Sequence, residues 1–437
     1  MDATIGIYLL VTFGILIACG FPIAIAIACS SICIMLSVMP MKVVAITAGQ
    51  KLATGMDSFS LLAVPFFVLA GNIMNQGGIA KRLVNFAFLF VGKIPGSLSH
   101  VNVLSNMMFG SVSGSAVAAA AAVGKTLLPQ IKSTGLNLPV ASAINIASCP
   151  TGMLIPPSNG LIVYSVVSGG TSIGALFLAG YVPGILMGLG CMIVGFIYFK
   201  LKPELAGNQT RVSYSLSEKL KITWQALPSL GLIIVVIGSI IGGICTATEA
   251  ACMAVLYSLL LSWIYKEIDI TKLKTISKDT IHISAMVLFL IGASTVMSYI
   301  MAYAHLPQMI SEALLSISDN KIVILLIINL TLLIVGMFMD MTPAILIFTP
   351  IFLPVTTALG INPVHFGIII TFNLCIGIVT PPVGTALFVG CSVSNLKIEQ
   401  VIKPLLPLIF AEIAILMVVT YVPELSLYLP RLTGLLQ

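Results

Sequence analysis

Charge is what this sequence has least of. Only 8% of its 437 residues are Asp, Glu, Lys or Arg, against roughly 25% in ordinary soluble domains. Between Ser133 and Phe199 there is no charged residue at all. Such a chain cannot coat a water-facing surface, and 59% hydrophobic residues with a mean hydropathy of +1.14 place it in lipid. Other scarcities narrow the chemistry. The four histidines, His100, His282, His305 and His365, are far apart and have no nucleophile in pattern with them. The nine cysteines form no CxxC and no Cys/His cluster of metal-ligand spacing, and read as small packing residues. No HExxH occurs, and "GMFMD" lacks the second glycine of a GxGD intramembrane protease. "AAAAAVGKT" ends like a phosphate-binding loop at Gly124, Lys125 and Thr126, but Ala119 stands where the first glycine is required. An enzyme is therefore not expected, nor a nucleic-acid partner. The N-terminus has no charged region followed by a small-residue cleavage site, so the first apolar segment reads as a retained span.

What the chain does have is apolar length. Crossing a hydrocarbon core takes about 20 apolar residues, and at least eight such stretches lie between Ile5 and Tyr421. Spans fall at about 3 to 20, 22 to 39 and 59 to 74. A short segment with Lys81, Arg82 and Lys93 leads to an apolar piece, 97–124, that is too short to cross twice and reads as a re-entrant hairpin. A broken span, 138–168, and an intact one, Ile173 to Phe199, reach the longest polar loop, Lys200 to Lys221. A helix pair turning at "CTATEA" returns to a second polar loop with Lys266, Lys272, Lys274 and Lys278. Placing these loops in the cytoplasm puts sixteen of the twenty Lys and Arg inside, leaving Lys42, Lys51, Lys321 and Arg431 outside. The second half then runs as a span from Ile281 to Tyr303, a lysine-free segment from His305 to Ser318, and a hairpin, 321–359, entering from the outside.

Hairpins entering from opposite leaflets imply inverted repeats. At a fixed offset of 225, Pro129 meets Pro354, Gly135 meets Gly360, Asn137 meets Asn362, Gly152 meets Gly377, and Pro156 and Pro157 meet Pro381 and Pro382. The expected organisation is two N-terminal spans (1–40), repeat 1 (41–200), connecting loops and a helix pair (201–280), and repeat 2 (281–437), with its broken helix at 364–393 and a final span. The fold class is an all-α polytopic membrane protein.

The breaks at "TGMLIPPS" and "IGIVTPPV" carry the functional expectation. Proline removes a donor and glycine allows unusual dihedrals, so each break frees carbonyls and half-helix ends. Such groups are costly in lipid unless they line a cavity. Freed carbonyls suit Na+, and half-helix N-termini suit an anion. The tip "GSVSGSAV" offers Ser111, Ser113 and Ser115 around Gly110 and Gly114, able to hold a cation or a sugar-like ligand, although small residues also suit close helix packing. The tip "GMFMDMTPA" carries Asp340, the only acid between Lys321 and Glu399. An acid within a membrane is a functional candidate by default, unless the tip ends near water. Glu249 and Glu412 are weaker candidates.

Together, the "IPPS" and "TPPV" breaks, the "GSVSGSAVA" and "GMFMDMTP" tips and the polar loop between the repeats resemble the large membrane subunit of tripartite ATP-independent periplasmic (TRAP) transporters, most closely the sialic acid type. The resemblance covers essentially the whole chain. It implies a bacterial inner-membrane, elevator-type, Na+-driven transporter of an organic acid. It also implies a small membrane subunit, which these 437 residues are expected not to contain, and a periplasmic binding protein. Carried over by motif, one Na+ site would use Ser113, Ser115 and the carbonyls of Gly152, Ile155 and Pro157. The other would use Gly336, Asp340, Gly377, Thr380 and Pro382. The substrate would lie near Ser111, Ser158, Asn159 and Thr385. A stand-alone Na+/carboxylate symporter of the same architecture, or a channel, are the alternatives.

Overall fold

The computed structural model describes residues 2–91, 96–207, 215–317 and 320–436, and among these all regular structure is helical. Lys93, Ser318 and the stretch 208–214 of the polar loop from Lys200 to Lys221 lie outside the described residues. Three helices open the chain: α1 (Asp2–Ala18), α2 (Ile23–Val38) and α3 (Met41–Met56). Then come α4 (Ala63–Gln76), α5 (Ile79–Val91) and a hairpin of α6 (Ser97–Ser113) and α7 (Ala116–Thr134). A helix broken into α8 (Leu138–Ser148), α9 (Thr151–Leu154) and α10 (Asn159–Val167) follows, and then α11 (Ile173–Leu201). After the connecting pair α12 (Leu216–Ile241) and α13 (Ala247–Ile264), the same series recurs. It runs α14 (Ile270–Tyr303), α15 (Leu306–Ile317), a hairpin of α16 (Lys321–Gly336) and α17 (Met341–Ala358), a broken helix of α18 (Pro363–Gly377) and α19 (Thr385–Ser394), and α20 (Ile398–Tyr421). A short α21 (Glu424–Leu432) closes the chain.

Equivalent residues do equivalent work in the two series. Gly135 and Gly360 each end the second hairpin arm at φ 70°, a conformation that favours glycine. Two residues on, Asn137 and Asn362 cap the broken helices, accepting from Val140 N at 3.2 Å and Val364 N at 2.8 Å. The Pro156–Pro157 and Pro381–Pro382 bonds are both cis. Seven helices among the described residues are long and apolar enough to cross a membrane, and the pair 138–154 and 159–167, bent by 46°, makes an eighth. Two lengths differ from expectation. Helix α7 continues past Gly124 through Lys125, Pro129 and Lys132 to Thr134, its alanine-rich first half carrying the helix over the interior proline, and ends where Gly135 turns left-handed. Helices α1 and α2 are shortened by the turn at Gly20–Phe21–Pro22.

The two series exchange partners crosswise: α7 packs on α19 and α17 on α10, while α8 packs on α20 and α18 on α11. Two hydrogen bonds fasten this exchange, Ser142 Oγ to Ser394 Oγ at 2.6 Å and Tyr164 OH to the Pro363 carbonyl at 2.6 Å. Every residue from Val140 to Ser148 and from Val364 to Gly377 is buried, so the first half of each broken helix is the core. A helix apolar on all faces has nowhere else to be. Outside this body lie α2, α3, α4, α13 and α14, which pack on one another, with α4 touching α6 and α10 and α14 touching α17.

Candidate functional site

In both repeats a glycine pair brings hairpin backbone directly onto broken-helix backbone. A Cβ added at Gly110 would lie 2.8 Å from Gly152 Cα, and one at Gly336 would lie 3.0 Å from Gly377 Cα. These approaches lie below ordinary van der Waals separation, so only glycine fits. They set each hairpin tip beside its break.

At the first tip, Gly114 turns the chain at φ 61° and Ser115 caps α7 by accepting from Ala118 N at 3.3 Å. Ser113 Oγ points back to the carbonyls of Gly110 and Ser115, at 3.5 and 3.4 Å. Ser111 donates to Met108 O of its own helix at 2.9 Å. Ser158 caps α10 and also donates to Met153 O, spanning the break. Asn159 sits against the tip: a Cβ on Gly114 would be 3.3 Å from its Nδ2 and 3.5 Å from Pro157 O. The Asn159 Oδ1 atom is buried without a partner.

The second tip is longer, a turn over 337–340 with Asp340 at the start of α17. It is stitched to its break by Gly384 N to Met337 O at 3.3 Å and by Thr385 Oγ1 to Asp340 Oδ1 at 3.4 Å. Thr380 donates to Ile376 O at 2.6 Å, and the carbonyls of Ile378 and Thr380 turn in around Gly384. The breaks differ in exposure. Ile155, Pro156, Pro157 and Ser158 are buried, Ile155 against α11 at Gly184 and Pro157 toward α4, α12 and α13, whereas Pro382 and Val383 are exposed.

Both tips and both breaks border one cavity of about 140 Å³. Gly114 and Ser115 enter it from the first tip, Asn159 and Gly160 from the first break, Asp340 and Thr342 from the second tip, and Ile378 from the second break. Val64 and Val68 of α4 and Val287 of α14 close the far wall. Of the expected residues, Ser115, Asn159 and Asp340 line this space. Ser113, Gly152, Gly336, Gly377, Thr380 and Thr385 hold the tips and breaks behind it, and Ser111 and Ser158 are occupied by local backbone. No Lys, Arg or His lines the cavity. Its polar groups are hydroxyl, amide and one carboxylate, the oxygen donors that hard cations take. Among the described residues no cluster of three or more His, Cys, Asp or Glu could hold a metal ion.

The weaker candidates fall elsewhere. Glu249 closes a capping box on Thr246 and is exposed. Glu412 is fully buried behind the first break, accepting from Cys191 Sγ at 3.4 Å, with its other oxygen unpartnered.

Residue-type reasoning passed over the amides that tie each hairpin to its broken helix. Asn106 Nδ2 reaches Asn102 Oδ1 at 3.0 Å, Asn145 Oδ1 at 3.1 Å and Ser148 Oγ at 2.8 Å, and Asn145 Nδ2 reaches Ala120 O at 3.0 Å. In the second repeat, Asn373 donates to Asn329 Oδ1 at 2.8 Å and Asn329 to Thr420 Oγ1 at 3.1 Å. The available signal was asparagine at helical spacing inside otherwise apolar runs.

Residues 10–425 match the family described as tripartite ATP-independent periplasmic transporter, DctM component. The uncharacterized protein YgiK of Salmonella typhimurium is 53% identical, over 96% of each chain. The sialic acid TRAP transporter large permease protein SiaM of Vibrio cholerae is 40% identical over 88% of this chain and 89% of that one. The isethionate TRAP transporter permease protein DctMQ of Oleidesulfovibrio alaskensis is 38% identical over 95% of this chain and 65% of that one. Among solved structures, the YdaH transporter of Alcanivorax borkumensis shares the fold with a TM-score of 0.66 at 13% identity, over 88% of this chain and 89% of that one.

Proposed function

The chain belongs to the DctM family of TRAP transporter large permease subunits, which take up organic acids, and on that premise we propose that it drives uptake with Na+ through the cavity between its two hairpin tips. The observation that carries this reading is the convergence of Ser115, Asn159 and Asp340 on one space. An organic anion entering that space meets the Asp340 carboxylate and no basic side chain. Like charges repel strongly where water is scarce, so a cation must accompany the substrate. Na+ at the second site would be held by Asp340 with the carbonyls of Gly336, Gly377, Thr380 and Pro382. Na+ at the first would be held by Ser113 and Ser115 with the carbonyls of Gly152, Ile155 and Pro157. Loading both ions turns the cavity from an anion-repelling to an anion-accepting one, and this gives the coupling its order. The substrate then rests near Ser111, Ser158, Asn159 and Thr385, with the Asn159 amide the group best placed to meet it.

The crosswise body of hairpins and broken helices is the proposed moving part, and α2, α3, α4, α13 and α14 form the proposed static frame. The apolar wall of Val64, Val68 and Val287 offers the body no polar group to hold it in place. Sialic acid is the substrate we assign first, supported by the resemblance to the sialic acid type and the 40% identity with SiaM. A small membrane subunit and a periplasmic binding protein are its proposed partners in the bacterial inner membrane.

The test is uptake into proteoliposomes holding this chain, a small membrane subunit and a loaded binding protein. Sialic acid, isethionate and a C4-dicarboxylate are offered in turn, with and without an inward Na+ gradient. Sialic acid uptake that collapses without the gradient is expected. Uptake indifferent to Na+ would overturn the coupling, and uptake of another acid alone would reassign the substrate. Vigorous uptake by the chain without its partners would overturn the tripartite reading.

A further inference from the structure

Helix α14 is longer than its membrane task requires. Its 34 residues extend about 51 Å, and the apolar stretch Ile281 to Tyr303 already covers a hydrocarbon core of roughly 30 Å. The preceding part, 270–280, therefore stands at headgroup level on the side where the basic loops gather. One face of it forms an open groove of about 450 Å³ lined by Ile270, Leu273, Lys274, Ser277, Lys278 and Ile281. Ile270 and Ile281 are 76% and 69% exposed, so apolar surface lies uncovered beside two ammonium groups.

The charges in the groove are unbalanced. Lys272, on another face, donates to the Glu267 carbonyl at 2.6 Å, and Asp269 is used in capping Lys272 N at 2.7 Å. Asp279 does not line the groove. The one ion pair among the described residues, Arg431 with Glu424, belongs to α21. Lys274 and Lys278, one helical turn apart, thus present two unpaired positive charges flanked by isoleucine and leucine.

We propose that this groove binds an anionic glycerophospholipid, its phosphate between Lys274 and Lys278 and its glycerol and acyl portion against Leu273 and Ile281. Paired lysines at the cytoplasmic edge of a span complement a phosphate diester. The exposed apolar residues on the same stripe select a ligand with a hydrocarbon portion over free phosphate. A protein partner seated here would need a carboxylate for each lysine, whereas the bilayer supplies the complementary group at that depth.

The test places a reporter in the groove. Ser277→Trp is made in a chain carrying Trp224→Phe and Trp263→Phe, and the protein is reconstituted with brominated phosphatidylglycerol or brominated phosphatidylcholine. Quenching is expected to show roughly 25-fold tighter local binding of phosphatidylglycerol, about fivefold from each lysine. Lys274→Gln and Lys278→Gln, both exposed, should each weaken that preference by roughly fivefold. Equal quenching by the two lipids, or a preference that survives the double substitution, would overturn the proposal. Adding the small membrane subunit should leave the preference intact, and loss of quenching by both lipids on its addition would show a protein covering the groove instead. The readout requires no transport, so its failure leaves the transporter reading standing.

Discussion

A single methyl group at Gly152 is expected to disable the first tip. The ideal Cβ of an alanine there falls against Gly110 Cα and the Gly110 carbonyl carbon and lies 2.7 Å from Ser111 N. All three are backbone atoms of α6, so no rotamer change relieves the overlap. Relief requires that hairpin arm and half-helix part by about 1 Å, which overpacking measurements value at roughly 1–3 kcal/mol. That spread corresponds to about 5- to 150-fold in an equilibrium constant (RT ≈ 0.59 kcal/mol), and here the equilibrium in question is the tip seated on its break. Gly152→Ala is therefore expected to raise the Na+ concentration for half-maximal uptake at least fivefold. Membrane insertion should be normal, because the strain is local to one contact. Gly238→Ala is the control: nothing lies within 4 Å of a Cβ there, and a glycine in a helix interior gains from the change. The assay is Na+ titration of uptake in proteoliposomes with matched protein content. Wild-type Na+ dependence in Gly152→Ala, or an equal effect in Gly238→Ala, would refute the argument that the glycine contact builds the site.

Asp340→Asn should insert normally yet lose Na+ dependence or transport, with a larger fall in apparent Na+ affinity than Ser111→Ala, whose hydroxyl serves its own helix; Na+ titration of both variants decides it. Asn159→Ala should raise the substrate KM roughly five- to tenfold while leaving the Na+ half-saturation within twofold, because it removes one neutral hydrogen bond of about 1 kcal/mol from the cavity and no cation ligand. A shift confined to Na+ would contradict the placement. A cysteine at Lys221 is expected to react with an impermeant thiol reagent only from the cytoplasm and one at Asn320 only from the periplasm; labelling from the same side would refute the inverted arrangement.

The breaks and tips were legible because their residues have few alternative uses. Proline pairs, a single acid among the 77 residues between Lys321 and Glu399, and glycines recurring at one offset are costly inside a membrane without a purpose. The glycine contact itself was half legible. Gly152 and Gly377 matched at the offset, but their partners Gly110 and Gly336 lie 226 apart, and only the backbone approach identifies them. The hydroxyls were the least readable. Ser111, Ser113, Ser115 and Ser158 look alike in sequence, yet a serine oxygen turns toward cavity, cap or preceding carbonyl according to a single χ1 torsion. The amides of Asn106 and Asn373 were invisible for another reason: their partners are several dozen residues away, on helices whose facing sides periodicity cannot assign.

The crosswise packing of α7 on α19 and α17 on α10 bears on how the chain is made. When the first broken helix leaves the ribosome, the helices that will cover it are some 225 residues from synthesis, a delay on the order of tens of seconds. During that time α7, α8 and α10 lack the helices α19, α20 and α17 that will cover them. Only the first break, packed on α6 and α11, already has most of its neighbours. The first half must therefore wait at the membrane partly unassembled, and a fragment ending near the central polar loop should be stabilised by supplying the second half as a separate polypeptide. The duplicated halves are thus not two modules joined in series but each other's last folding step.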